Sequence, residues 1–85
     1  AYEPVWSIGT GIIPKINQLK NQIEFIRKII IKNCKIYNPI IIYGGSVSPK
    51  NITELKKISS INGFLIGGAS QNPKKFIDII KKTIN

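Results

Sequence analysis

The sequence predicts an α/β fold in which parallel strands alternate with helices. Two short apolar runs, at residues 40–43 and 64–66, each end in a glycine pair, and each is followed by a segment with the apolar spacing of a helix. Unbroken apolar runs are typical of strands covered on both faces, as in parallel sheets. Strands that alternate with helices form right-handed βα units on one sheet. The 85 residues leave room for one such domain and no second.

The first half of the chain supplies a strand end, a helix and a strand. Tyr2 is expected to end a strand before a long loop. A helix is predicted over residues 16–30, where isoleucine and leucine recur at steps of three and four. Asn38 and Pro39 then break the chain ahead of the strand at residues 40–43.

The second half contains two helix start signals. Ser48 and Pro49 predict a second helix, with serine as its N-cap and proline in its first position. After the strand at residues 64–66, Asn72 and Pro73 repeat this pair of signals. A last helix is therefore predicted behind them, with apolar residues on one face as far as residue 84.

Composition limits the functional classes. Thirteen basic against four acidic residues, and no histidine, give a formal charge of +9. The lysines are scattered over predicted helices without the interleaved aromatic residues that stack on bases, so the pattern does not favour the alternative of a basic nucleic-acid-binding piece. No apolar run approaches the roughly 18 residues of a membrane span, so no membrane partner is expected.

The single cysteine and the first residues lead to expectations about the compartment and the N-terminus of the protein. Cys34 is the single cysteine, and we expect it to be a small buried hydrophobic residue in a reducing, cytoplasmic compartment. The first residues lack both an initiator methionine and a basic leader region. The N-terminus is therefore expected to be a cut end.

Three loops lie where parallel sheets bind ligands, beyond the carboxyl ends of the strands. The loop over residues 3–14 has proline near both ends and glycines near its tip, a composition suited to a lid. The turns at residues 44–46 and 67–69 begin with glycine pairs, which let the backbone approach a ligand and present N–H groups to a phosphate. Taken singly, each pair is also explained as the simple turn from a strand into its helix.

Individual side chains in these loops have alternative interpretations. Glu3 follows the first strand directly, where a carboxylate can act as a base, although a lone glutamate is also an ordinary solvated charge. Trp6 and Tyr43 either take part in a site or anchor a loop and the core. Ser46 either belongs to the site or caps a turn.

The three loops together resemble one protein family. The segments AYEPVWSIGTG (residues 1–11), YGGSV (residues 43–47) and GGAS (residues 67–70) have the order and spacing of triosephosphate isomerase. A full member is a TIM (β/α)8 barrel of roughly 250 residues. The resemblance covers the whole chain and implies that residues 1–85 are a C-terminal fragment of one barrel domain, with three consecutive βα units (strands six to eight). Cut from its barrel, such a sheet would expose two edges and an apolar face.

The resemblance also implies an activity. The family interconverts dihydroxyacetone phosphate and glyceraldehyde 3-phosphate, in glycolysis and gluconeogenesis, by proton transfer through an enediolate. It is a familiar example of a glutamate base that works with a neutral histidine and a closing loop. By resemblance, the substrate is a triose phosphate, and the full-length protein is a homodimer with contacts mainly from the absent N-terminal half. Neither a metal nor an organic cofactor is implied. A phosphate-binding βα module without catalysis is the main alternative.

The family's functional residues can be carried over by position. Glu3 matches the catalytic base. Residues 4–14 match the lid, which includes Pro4 and Trp6, and Tyr43 matches its latch. The residues whose backbone N–H groups match the phosphate cradle are Gly9, Ser46, Gly67 and Gly68.

Two departures from the family's pattern change these expectations. The family's histidine electrophile lies outside residues 1–85, and a base without it loses several powers of ten in rate, so the isolated chain is expected to be inactive. Pro14 stands where the family commonly offers a backbone N–H to the latch tyrosine, and proline has none. The latch bond, worth roughly 1 kcal/mol, is therefore expected to be absent, and Tyr43→Phe is expected to change turnover little.

Overall fold

A computed structural model describes the backbone of residues 1–85 and all side chains except that of Trp6. Helices and strands alternate along the described chain. In chain order they are Ile16–Cys34 (α1), Ile42–Gly45 (β1), Ile52–Leu55 (α2), Gly63–Ile66 (β2) and Pro73–Ile84 (α3). Short segments of 3-10 helix lie at Val5–Ser7 and Gly68–Gln71.

The sheet is parallel, and its order follows the chain. β1 pairs with β2, with Tyr43 opposite Phe64. Tyr2 adds a third parallel element on the other side of β1: its N–H donates to the Ile42 carbonyl (2.8 Å), and its carbonyl accepts from the Gly44 N–H (2.9 Å). The predicted arrangement of parallel strands separated by helices is therefore confirmed.

Several predicted boundaries are wrong by a few residues. α1 continues past residue 30 to Cys34 and ends where Lys35 adopts a left-handed conformation, with φ of 54°. Cys34 is exposed, contrary to the prediction of a buried thiol, because the last turn of α1 extends beyond the helix residues that pack into the core. β1 begins at Ile42, two residues later than predicted.

Ser48 does not cap α2, contrary to the prediction. The chain turns at this point, the Ile52 N–H donates to the Ser48 carbonyl (3.0 Å), and α2 begins only after Asn51. The Asn51 side chain bonds backward along the chain: its Oδ1 accepts from the Ser48 N–H (2.8 Å), and its Nδ2 donates to the Ser46 carbonyl. Asn51 thereby fixes the bend that follows β1.

One face of the sheet is packed against the helices. Side chains from all three helices meet the strand region in one core cluster, which comprises Leu19, Ile23, Ile41, Tyr43, Val47, Ile52, Leu55, Ile58 and Ile79. Ile40 and Leu65 lie outside this cluster and are 81% and 45% exposed. The strands are thus not covered on both faces, because one layer of helices packs on the sheet within these residues. Leu65 is the exposed large apolar side chain of the two strands, and the expectation of a whole exposed apolar face stays a prediction.

Arg27, the single arginine of the chain, ties α1 to the amino ends of both strands. Its guanidinium donates to the Pro39 carbonyl (2.7 Å), the Ser60 carbonyl (2.6 Å) and the Asn62 Oδ1 (3.1 Å). The Asn62 Oδ1 also accepts from the Ile41 N–H (2.8 Å). We call this set of contacts the Arg27 clamp. A planar fork of donors suits three acceptors in this arrangement, which explains an arginine in a chain otherwise rich in lysine.

Candidate active site

The three loops that the sequence singled out meet at one cleft. It has a volume of about 620 Å³ and lies beyond the carboxyl ends of β1 and β2. The predicted base and phosphate-binding residues all line it, namely Glu3, Gly9, Ser46, Gly67 and Gly68. A parallel sheet brings them together because the loops that follow its strands emerge at the same edge. The structure thus places these residues together, while their chemical roles remain predictions.

Glu3 reaches the cleft past the end of β1. Its side chain is exposed, and its Cγ lies 2.9 Å from the position that a Cβ on Gly44 would occupy. The Leu65 Cβ would lie 3.2 Å from the same position. Any side chain at residue 44 would therefore displace Glu3 or Leu65. Gly44 makes room for the side chains of Glu3 and Leu65, which is a different reason for glycine from the predicted approach of a phosphate.

The lid, residues 4–14, is bonded to the bend after β1. The Gly11 N–H donates to the Ser46 Oγ (2.8 Å), and the Ser46 Oγ donates to the Ser7 carbonyl. Gly9 and Gly11 have φ of 68° and 76°, a left-handed conformation that favours glycine. The Ser46 side chain therefore joins two points of the lid, which goes beyond the capping of a turn.

Tyr43 has a lid partner that the sequence analysis missed. Its hydroxyl lies 3.0 Å from the Ser7 Oγ, and both residues are fully buried. The Ser7 Oγ in turn donates to the Ile12 carbonyl. The bond from residue 14 that the family commonly makes is absent, as Pro14 requires, and Ser7 supplies Tyr43 with a different partner in this segment. Burial raises the pKa of Tyr43 above its ordinary value of 10.0, so the hydroxyl is protonated at neutral pH.

Gly45 makes room for this pair of hydroxyl groups. A Cβ at residue 45 would overlap the Tyr43 hydroxyl and stand 2.8 Å from the Ser7 Oγ. Both glycines after Tyr43 are thus required by neighbouring side chains. Phosphate binding at this turn stays a prediction, and the structure gives its glycines another reason, which is packing around Glu3 and Tyr43.

The turn after β2 is open. A Cβ on Gly67 or Gly68 would meet nothing within 4 Å, so oxygen atoms of a ligand have room to approach this backbone. The next helix begins as predicted: the Asn72 Oδ1 accepts from the Lys75 N–H (3.1 Å), and Pro73 occupies the first turn of α3. Here the glycine pair agrees with the predicted approach of a ligand.

Two lysines, Lys50 and Lys75, also line the cleft. Glu3 is the one carboxylate among the described residues of its lining. The local charge therefore favours an anionic ligand. Sequence analysis missed these lysines because they are two of many along the chain. Their positions shortly after the two glycine turns are the signal that would have found them.

The remaining predicted residues lie around the lid. Pro4 is buried, and its carbonyl accepts from the Ser7 N–H (2.9 Å), but neither Pro4 nor Tyr43 lines the cleft. The side chain of Trp6 lies outside the described residues. Among the residues that are described, no group of histidine, cysteine, aspartate and glutamate side chains is arranged to hold a metal ion. No described helix is long and apolar enough to cross a membrane.

The fold and the cleft define an α/β protein with an anion-suited site at the carboxyl ends of parallel strands. The triosephosphate isomerase family profile matches residues 1–83, and the chain belongs to this family. It is 45% identical over 84 residues to the triosephosphate isomerase of Amoebophilus asiaticus and 45% identical over 83 residues to that of Thermodesulfovibrio yellowstonii. These alignments cover 95% of this chain and 33% and 34% of the relatives. The chain thus spans about a third of the length of the curated relatives it matches.

Proposed function

We propose that residues 1–85 are the part of a triosephosphate isomerase that carries its base, lid and phosphate-binding turns, in strands six to eight of the barrel. The observation that supports this most directly is the shared cleft. Glu3 and backbone from three separate loops line one space of about 620 Å³. Membership of the family supplies the reaction that these groups suit.

Glu3 is the proposed base. Its carboxylate takes a proton from C1 of dihydroxyacetone phosphate, and the electron pair of that C–H bond enters the enediolate. Return of the proton to C2 gives glyceraldehyde 3-phosphate, so the reaction is an isomerisation without net oxidation. The protons on the two substrate oxygens must also move, and this chain has no histidine to assist them. We therefore propose that the isolated chain is inactive.

The phosphate is proposed to lie against the lid tip and the two glycine turns. The open space at Gly67 and Gly68 supports this position, and so do the two lysines of the lining. The residues whose N–H groups are proposed to bind it are Gly9, Ser46, Gly67 and Gly68. A lid bonded to the bend after β1 excludes water and so protects the enediolate from loss of its phosphate.

The setting of the reaction belongs to the same proposal. The substrate is a triose phosphate, and the reaction serves glycolysis and gluconeogenesis in the cytoplasm. The full-length protein is a homodimer whose contacts come mainly from residues outside this chain. The proposed reaction uses no metal and no organic cofactor.

A chimera tests the proposal. Residues 1–85 are joined to the first two thirds of the Amoebophilus asiaticus relative, and chimera and isolated chain are compared in a coupled isomerase assay. We expect turnover from the chimera and none from the isolated chain. Glu3→Gln should lower the turnover of the chimera by about 10²- to 10⁴-fold. Glu24→Gln, at a half-buried glutamate of α1 outside the cleft, is the matched control and should leave it unchanged.

Other outcomes point to the alternatives. A folded chimera that binds 2-phosphoglycolate, a mimic of the enediolate, but shows no turnover would favour a phosphate-binding module without catalysis. Steeply salt-dependent binding of DNA or RNA, without binding of 2-phosphoglycolate, would favour the nucleic-acid alternative. Turnover that survives Glu3→Gln would remove Glu3 from the mechanism.

A further inference from the structure

The hydrogen bonds around Ser7 have a fixed direction. A serine hydroxyl carries one proton, and Ser7 gives it to the Ile12 carbonyl at 2.5 Å. The Tyr43 hydroxyl, 3.0 Å from the same oxygen, must therefore be the donor in the bond that they share. We call this directed chain, from Tyr43 through Ser7 to Ile12, the Ser7 bridge.

The Ser7 bridge connects three parts of the molecule. Ser7 lies in the first half of the lid, Ile12 in the second half, and Tyr43 on β1. The segment between Ser7 and Ile12 includes Gly9 and Gly11, which line the cleft. Fixing the two ends of this segment to each other and to the sheet fixes the lid tip over the cleft.

Burial makes the bridge dependent on the position of the lid. Ser7 and Tyr43 are 0% exposed, and buried hydroxyl groups are costly unless they are hydrogen-bonded. Pro14, also buried, has no N–H to offer as a substitute. Movement of the lid away from β1 would break the bond between Ser7 and Tyr43, so the bond favours the closed position.

We propose that Ser7 is a positioning residue that holds the lid closed through Tyr43 and Ile12, without itself touching the ligand. The proposal rests on the proposed function for the nature of the ligand, a small phosphate-bearing dianion. The contact between Ser7 and Tyr43 does not depend on the proposed function. Loss of the bridge should weaken ligand binding and loosen the lid, while the core of the protein stays unchanged.

Two measurements on the intact protein test this role. The variants are Ser7→Ala, Tyr43→Phe and their combination, and the controls are Ser59→Ala and Tyr37→Phe, at exposed residues outside the cleft. The first measurement is hydrogen exchange of the Gly11 amide, which needs no ligand. The second is the dissociation constant for 2-phosphoglycolate. A core amide, that of Ile23, reports any general loss of stability.

The expected result is a coupled one. Each single variant should speed Gly11 exchange and weaken 2-phosphoglycolate binding by about 5-fold, the equivalent of one neutral hydrogen bond. The double variant should be no worse than the stronger single variant, because both substitutions break the same bridge. Exchange at Ile23 should change less than exchange at Gly11 in each variant, and the two control variants should show no change. Additive effects, or Gly11 exchange that neither variant alters, would overturn the proposal.

A replacement variant and a turnover measurement complete the test. If Ser7→Ala does not fold, Ser7→Thr replaces it, because threonine retains the hydroxyl. Ser7→Thr should leave Gly11 exchange unchanged, and Tyr43→Phe should speed it. The opposite pattern overturns the proposal. Turnover is measured on the same variants built into the chimera described above, because the isolated chain is itself proposed to be inactive. If the effects are coupled but no turnover is seen, the proposed isomerase function is wrong and the Ser7 bridge stands. If turnover is seen but the effects are additive, the Ser7 bridge alone is wrong.

Discussion

Replacing Gly68 with alanine should raise the stability of the protein and weaken its binding of the ligand. The added Cβ meets no atom within 4 Å, and Gly68 is outside the left-handed region of φ, so the folded chain accepts alanine without strain. Replacing glycine at such a position lowers the entropy of the unfolded chain and stabilises a protein by about 0.4–1 kcal/mol. The same Cβ, however, occupies space at the cleft where a phosphate oxygen would approach the backbone.

The loss of binding can be estimated from one hydrogen bond to a charged group. Such a bond contributes about 1.5–3 kcal/mol, which corresponds to a roughly 10- to 100-fold weaker dissociation constant. Urea titration measures the free energy of unfolding of the intact protein, and calorimetry measures its affinity for 2-phosphoglycolate. Gly11→Ala is the contrast variant: its Cβ also enters open space, but its φ of 76° should make alanine destabilising.

Two results would refute this reasoning. A Gly68→Ala protein that loses more than about 1 kcal/mol of unfolding free energy would show that the backbone there does need glycine. A protein that keeps its affinity for 2-phosphoglycolate within about 2-fold would show that the phosphate does not approach this turn.

Three further predictions concern the framework of the site. Arg27→Lys keeps the charge but loses the fork, and should lower the free energy of unfolding in urea by about 1–3 kcal/mol; an unchanged midpoint would mean that the Arg27 clamp contributes nothing. Gly45→Ala should cost about 1–3 kcal/mol through overlap with the Tyr43 hydroxyl and its ring Cζ. The cost should fall only in part in the Gly45→Ala/Tyr43→Phe double variant, which removes the hydroxyl but keeps Cζ at 2.6 Å from the added Cβ; equal costs in both backgrounds would contradict a contribution from the hydroxyl. Burial raises the pKa of Tyr43 in the folded chain above 10.0, so the unfolded chain loses this proton first as the pH rises. The stability attributable to Tyr43 should therefore be constant below pH 10 and fall as the pH rises above it. Urea titrations of the chain and of Tyr43→Phe across this range should therefore converge, and parallel curves would argue against the shift.

The order of elements could be predicted because its signals are local. The two apolar runs that end in glycine pairs became neighbouring parallel strands, and the Asn72–Pro73 signal started α3 where expected. A parallel sheet then places its following loops at one edge, so the shared cleft followed from the order of elements. Ser48 shows the limit of such signals, since the Asn51 side chain bonds the Ser48 N–H and delays the helix.

The supporting contacts could not be predicted because they join residues far apart in the chain. Tyr43 and Ser7 are separated by 36 positions, and Arg27 and Ser60 by 33. No periodicity connects such pairs, and an ordinary serine or arginine gives no local sign of its partner. Pro14 shows this limit: its missing N–H was visible in the sequence, whereas the hydroxyl of Ser7 that bonds Tyr43 instead was not.

The Arg27 clamp lies at the amino ends of the strands, and the cleft lies at their carboxyl ends. The contacts of the clamp are therefore made by residues that do not line the cleft. A library of random variants screened for heat resistance should collect its changes near the clamp, and one screened for new ligands should collect them in the loops around the cleft. This arrangement lets an evolving lineage alter what it binds without first losing the ability to fold.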